Sequence, residues 1–158
     1  MEKAPFDRNP FDPGKIDPHR IALGIQQPWA ELILRGIKTL EVRSQPTRQR
    51  GTIYLYASKR ASQLPAASVA ARRHGIDVES LAFGVLVGTV KVVGCRPCRS
   101  KDHEAACVPP QLVAGQFAWE LAEAAPLAAP LAVRFLPYGV WFYPFKRRSD
   151  GQSRRRIE

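Results

Sequence analysis

The sequence predicts an α+β protein that is mostly β, built as a small barrel of six or seven short strands with two or more flanking helices. Three observations predict it. The chain has 158 residues, 45% hydrophobic and 24% charged, which is enough for one domain with a real core. Short stretches of period-two alternation recur along it, separated by turn residues. Their spacing is hairpin-like rather than a regular strand–helix alternation, so mostly antiparallel pairing is expected.

Residues 1–19 hold Pro5, Pro10, Pro13 and Pro18 and few apolar residues, and read as an extended arm before a domain over 20–145. Ile21, Leu23 and Ile25 alternate on one face and predict a short strand. Pro28 then opens a helix, where its missing N–H is harmless. Trp29, Leu32 and Ile33 give that helix an apolar stripe, and Gly36 can supply its left-handed cap. In residues 38–43, Leu40 and Val42 fall on one face and Thr39, Glu41 and Arg43 on the other, a strand with an apolar back and a polar front. Ile53, Leu55 and Ala57, alternating with Tyr54 and Tyr56, predict another strand over 52–58.

Residues 65–74 predict a second helix, with Pro65 at its start, Gly75 past its end and Arg72, Arg73 and His74 at the negative end of its dipole. Residues 83–93 read as a long central strand, in which Gly84 and Gly88 signal bends or close backbone approach. Residues 94–115 lack periodicity and read as a loop-rich insertion. Residues 117–121, 131–136 and 140–145 are the remaining expected strands.

The net charge of +10 is concentrated. Arg35, Lys38, Arg43, Arg48, Arg50, Lys59 and Arg60 face only Glu41 over residues 35–60. Lys146, Arg147, Arg148, Arg154, Arg155 and Arg156 form a basic tail over 146–158, read as disordered, against Asp150 and Glu158. The rest of the chain is neutral. Such blocks attract polyanions by neutralising phosphates and releasing counterions. With no run of ~18 apolar residues, no transmembrane helix and no membrane partner are expected. The polar N-terminus lacks a signal-peptide core, and three cysteines cannot all pair, so a reducing cytoplasm is expected.

Residues 24–30, reading Gly-Ile-Gln-Gln-Pro-Trp-Ala, resemble the opening KQPWA motif of the ASCH (ASC-1 homology) family within the PUA-like superfamily. Gly36, Lys38, Thr39, Glu41 and Arg43 are similar to that family's G-x-K-T-x-E-x-R strand. Arg50-Gly51 with Ala57-Ser58-Lys59, then residues 83–90, 117–121 and 139–141, match its later strands in order. The resemblance implies a PUA-like barrel with a cleft between the barrel and its first helix. It further implies a monomeric RNA-binding or other single-stranded nucleic-acid-binding protein, with a modified nucleobase as an alternative ligand.

The residue types agree with that expectation. Lys38, Arg43, Arg50 and Lys59 suit phosphates; Trp29, Tyr54, Tyr56 and Trp119 include candidate stacking platforms; Gln27 and Glu41 can read a base edge; Thr39 and Ser58 offer hydroxyls. Bland roles compete with these: Glu41 and Arg43 as an ion pair shaping the cleft, and Trp29, Trp119 and Trp141 as core.

The resemblance also implies two hydrolase alternatives. Relatives that hydrolyse amides on acetylated cytidine use a Lys and a Thr on this strand and a Glu in a later loop. Here Lys38 and Glu104 take the first and last roles, but Glu41 stands at the Thr position, and Thr39 lies ~7 Å away along the strand. A ribonuclease would use Lys38 to stabilise phosphorane charge and Glu41 as general base. A protein-interaction module is a third class, supported by the family association alone.

Cys95, Cys98, His103 and Cys107 approach a zinc-knuckle spacing. The last interval is one residue short and the knuckle glycines are absent, so free thiols and no cofactor are expected.

Overall fold

A computed structural model describes residues 16–147. The first fifteen residues of the expected arm lie outside the described residues, as do Arg148, Arg154, Arg155 and Arg156 of the tail.

The chain forms β1 (Ala22–Ile25), α1 (Trp29–Leu34), β2 (Leu40–Arg43), β3 (Gly51–Ala57), α2 (Pro65–Arg73), β4 (Val85–Pro97), α3 (Asp102–Ala106), β5 (Phe117–Leu131) and β6 (Trp141–Phe142). All six strands share one sheet in the order β2-β5-β4-β3-β1-β6. Only β1 and β3 pair in parallel, because α1 and β2 intervene between them; the other four pairings are antiparallel. The sheet curls into a half-barrel that brings its outer strands towards each other. It matches the mostly β, helix-flanked architecture expected, with two differences in the later strands. β5 runs from Phe117 to Leu131 through register shifts opposite β4 and residues 132–136 form no strand, while the strand expected over 140–145 is only Trp141–Phe142.

The inner face of the curl holds the main core: Leu23 and Ile25, Leu32 and Ile33 of α1, Ile53 and Leu55, Val90 and Val92, Trp119 and Leu121. Alternation would put Tyr54 and Tyr56 on the solvent side of β3. Instead both are buried in a second cluster with Ala22, Leu86 and Phe142, packed against Leu127, Leu131, Val133, Tyr138 and Phe145. The segment after β5 folds back over this outer face, with the amides of Arg134 and Phe135 donating to the Pro144 carbonyl at 3.0 Å each. Tyr54 and Tyr56 are therefore not stacking platforms at the surface; their ring edges meet Phe145 and Phe142.

Residues 94–115 are more ordered than their lack of periodicity suggests. β4 continues to Pro97, α3 follows, and a turn of 3-10 helix spans Pro110–Leu112. A third cluster results, in which Leu40, Ala106, Val113 and Ala118 pack together with Val42 and Cys98. The apolar back of β2 thus faces outward, beneath α3, and its polar front faces the barrel interior. A clasp holds this cover in place. Arg96 donates to both carboxylate oxygens of buried Asp102 at 2.7 and 3.0 Å, and the Arg99 amide donates to the same carboxylate at 2.6 Å.

Gly88 answers the expectation of close approach. A Cβ there would lie 2.6 Å from the Ala125 carbonyl oxygen and collide with the Leu34 side chain. Gly84 adopts φ +69°, a left-handed conformation that glycine takes without strain.

These packing constraints set the cost of two substitutions. Gly88→Ala should lower stability by about 2–3 kcal/mol in urea denaturation, because a neighbouring backbone oxygen cannot move aside as a flexible side chain can. Asp102→Asn should cost about 2 kcal/mol at neutral pH. Its hydrogen bonds from Arg96 and Arg99 hold the Asp102 carboxyl at about 2, below the ordinary 3.8. A lowered carboxylate stabilises the fold above 3.8 and loses that effect as pH falls towards about 2, so wild type and variant should converge in acid melts.

Candidate nucleic-acid interface

The two outer strands of the sheet, β2 and β6, are not hydrogen-bonded to each other. Side chains close the gap. The Arg43 guanidinium donates to the Gly24 carbonyl of β1 at 3.1 Å, and its Cζ sits 5.6 Å from the centre of the Trp119 ring. Trp119 of β5 in turn stacks on Trp141 of β6, with centroids 5.6 Å apart and planes 17° from parallel. The Trp119 indole N–H is fixed by the Gln45 carbonyl at 2.9 Å.

Beneath this seam lies Glu41, register partner of Trp119 and buried. Its Oε1 is 3.6 Å from Arg43 Nε, whereas its Oε2 is buried with no hydrogen-bond partner. Deeper still is Lys38, 3% exposed. Its Nζ donates to the Ala106 carbonyl of α3 at 2.7 Å and lies 5.2 Å from the centre of the Trp29 ring. Burial pushes the Lys38 amine below the ordinary lysine value, partly opposed by the Glu41 charge. Two cations thus bracket one carboxylate, between indole rings, at the mouth of a curled sheet.

Several candidate residues lie elsewhere or have other work. Gln27 is buried and held at both ends: its Nε2 donates to the Ala82 carbonyl at 3.1 Å and its Oε1 accepts from the Glu31 amide at 3.0 Å, contacts that position α1. Trp29 and Trp119 are buried in the main core. Thr39 precedes β2 and is exposed, and its carbonyl accepts from the Leu121 amide at 3.0 Å. It borders a depression of only about 60 Å³ with Gly36, Lys38 and Leu121, far below the ~300 Å³ of a ligand pocket.

Ser58 is half-buried and adjoins Gly24; Lys59 is exposed and its stem covers Gly84. Arg50 is exposed and braces its own loop through the Thr47 and Gln49 carbonyls. Glu104 is exposed on α3.

Among the described residues no three His, Cys, Asp or Glu side chains gather as metal ligands. Cys95 Sγ accepts from the Thr47 amide at 3.5 Å, while Cys107 Sγ contacts the Ile37 carbonyl at 3.7 Å. Cys95 lies within β4 and His103 on α3, and the sequence spacing does not gather three ligands. Burial raises the Cys98 and Cys107 thiols above their ordinary values. No helix among the described residues is long and apolar enough to cross a membrane.

Sequence reasoning missed the backbone partners of the site. The carbonyls of Gly24, Gln45 and Ala106 orient Arg43, Trp119 and Lys38. A backbone oxygen carries no residue-type signal.

Comparison with known proteins places this architecture. An 80-residue stretch is 38% identical to mouse (Mus musculus) activating signal cointegrator 1, and an 82-residue stretch is 37% identical to the human (Homo sapiens) protein. Each match covers 46% of this chain, which spans only 14% of those relatives. The crystal structure of an ASCH protein from Zymomonas mobilis superposes with a TM-score of 0.54 at 16% identity, over 84% of this chain and 90% of that one, a likeness of fold. The ASCH domain model matches residues 23–131, from β1 to the end of β5 and including Lys38, Glu41 and Arg43. The chain belongs to the ASCH domain family.

Proposed function

We propose that this ASCH protein binds single-stranded RNA, with a nucleobase edge meeting Glu41 at the seam between β2 and β6. The unpartnered buried Oε2 of Glu41 carries the reading. A buried acceptor without a donor costs about 1–3 kcal/mol, a cost that a ligand N–H would relieve. An amino or imino N–H of a base is such a donor, and Arg43 beside it can donate to a neighbouring base oxygen. Arg43 is the mobile part of the seam in this reading: its guanidinium, tied to Gly24 by one hydrogen bond, swings out to admit the base. Arg48, Arg50, Lys59 and Arg60, all exposed, then serve the phosphates outside. With Arg43 swung out, the face of Trp119 that its guanidinium covers becomes the surface the base approaches.

A second reading, RNA hydrolysis in the same seam, is favoured by one observation. Lys38 is an amine held below its ordinary value beside a carboxylate, the environment of a proton-transferring lysine. The acetylcytidine amidohydrolase reading gains less: Lys38 and Thr39 line one depression, but Glu41 stands at the position of the nucleophilic Thr.

Two experiments test these readings. Glu41→Leu should lower the melting temperature, because it leaves Arg43 and the buried Lys38 without their counter-charge, and, at a temperature where the variant is folded, weaken binding of a single-stranded RNA by about tenfold or more in fluorescence anisotropy. Unchanged RNA affinity in that variant would sink the base-reading role of Glu41. Labelled RNA incubated with the wild type should stay intact. Cleavage that disappears in Lys38→Met would assign the chemistry to Lys38 and replace binding by hydrolysis as the function.

A further inference from the structure

The strap that covers the outer face of the sheet carries a second concentration of positive charge. Arg20, just before β1, holds its Cζ 5.1 Å from the centre of the Tyr54 ring. Tyr54 meets Phe145 edge to face at 6.0 Å, and the Pro144 carbonyl next to Phe145 ties down Arg134 and Phe135. Arg134 Cζ lies 5.4 Å from the Phe135 ring, and Lys146 Nζ lies 5.5 Å from the Tyr143 ring. Arg147 follows, exposed. Three of these four cations, Arg20, Arg134 and Lys146, thus sit against aromatic rings, and Arg147 adjoins Lys146 in sequence. None of the four forms an ion pair among the described residues.

This surface is distinct from the seam. It belongs to the outer cluster around Tyr54, not to the main core beneath Trp119. Along β1, Arg20 and the Gly24 carbonyl are four residues apart, ~13 Å of extended chain. Stacking the cations on rings leaves their charge uncancelled and restricts their side chains, so less conformational entropy is given up when a polyanion arrives. The basic segment 146–158 begins at this surface with Lys146.

We propose that this strap is a second nucleic-acid contact: Arg20, Arg134, Lys146 and Arg147 hold backbone phosphates of the strand whose base occupies the seam. The proposal rests on the RNA-binding reading for its ligand and on separate residues for its site. Phosphates are met by charge and bases by the seam, so strand length separates the two. A short oligonucleotide fills the seam alone; a long one reaches the strap.

The test measures binding of a 5-nucleotide and a 30-nucleotide single-stranded RNA between low and moderate salt. The proteins are the wild type, Arg134→Gln/Lys146→Gln, and the fourfold variant that adds Arg20→Gln and Arg147→Gln. Thermal melts check folding, and the double variant, which spares the Arg20–Tyr54 pair, decides the matter if the fourfold one unfolds. For the 30-mer, the salt slope of log affinity should fall by about 0.7 for each phosphate left without its cation, roughly 1.4 in the double and 3 in the fourfold variant. The 5-mer should be unaffected. An unchanged 30-mer slope would overturn the strap while leaving the seam intact. A wild type that binds neither RNA would overturn both readings. Retained RNA affinity together with abolished binding to phosphatidylserine vesicles would reassign the strap to a lipid surface.

Discussion

The closure of the half-barrel depends on a single guanidinium. A curled sheet whose end strands do not pair leaves two unsatisfied edges, and a short six-stranded sheet has little else to hold its curvature. Arg43 reaches from β2 to the Gly24 carbonyl on β1 while its face covers Trp119, which itself stacks on Trp141 of β6. Hydrogen bond, cation–π interaction and indole stack together replace the missing ladder. Because they are made by side chains, they can open without unzipping the sheet, whereas a backbone ladder could not.

That closure explains why charged groups lie inside. Arg43 needs a carboxylate nearby, and Glu41, two residues earlier on the same strand face, supplies one at 3.6 Å. Lys38 adds a second cation, secured to α3 through the Ala106 carbonyl. The arrangement is electrostatically balanced only in part, since one carboxylate oxygen remains unmet and the lysine is held below its ordinary value. A core optimised for stability alone would place apolar residues here. The half-satisfied carboxylate at the seam is the feature on which the proposed base contact rests.

Much of the fold was legible because local periodicity and glycine chemistry report it directly. α2 begins at Pro65 and ends before Gly75 at φ +64°, as its sequence signals require. Gly88 marked a close approach without naming Ala125 as the neighbour. Residues 94–115 were illegible because their order comes from the Arg96–Asp102 clasp and from burial under β2, neither of which leaves a period. Tyr54 and Tyr56 misled for a related reason: alternation separates two faces but does not say that a later segment covers the second one. Of the site, the ion pair of Glu41 and Arg43 was readable from the strand alone. The two hydrogen bonds of Gln27 and the exposure of Thr39 were not.

The sequence by itself determined the strand-rich class, the order of most elements, the family, and the concentration of basic residues around the hallmark strand. Those properties are carried by residue type and spacing along the chain. Tertiary structure alone decided which face of β2 points inward, which cations are buried and which carbonyls orient them. It also decided that the cysteines and His103 do not converge. The physical reason is that a strand's alternation has no built-in inside or outside: that choice is made by what packs against each face, here α3 on one side and the Trp119–Trp141 seam on the other.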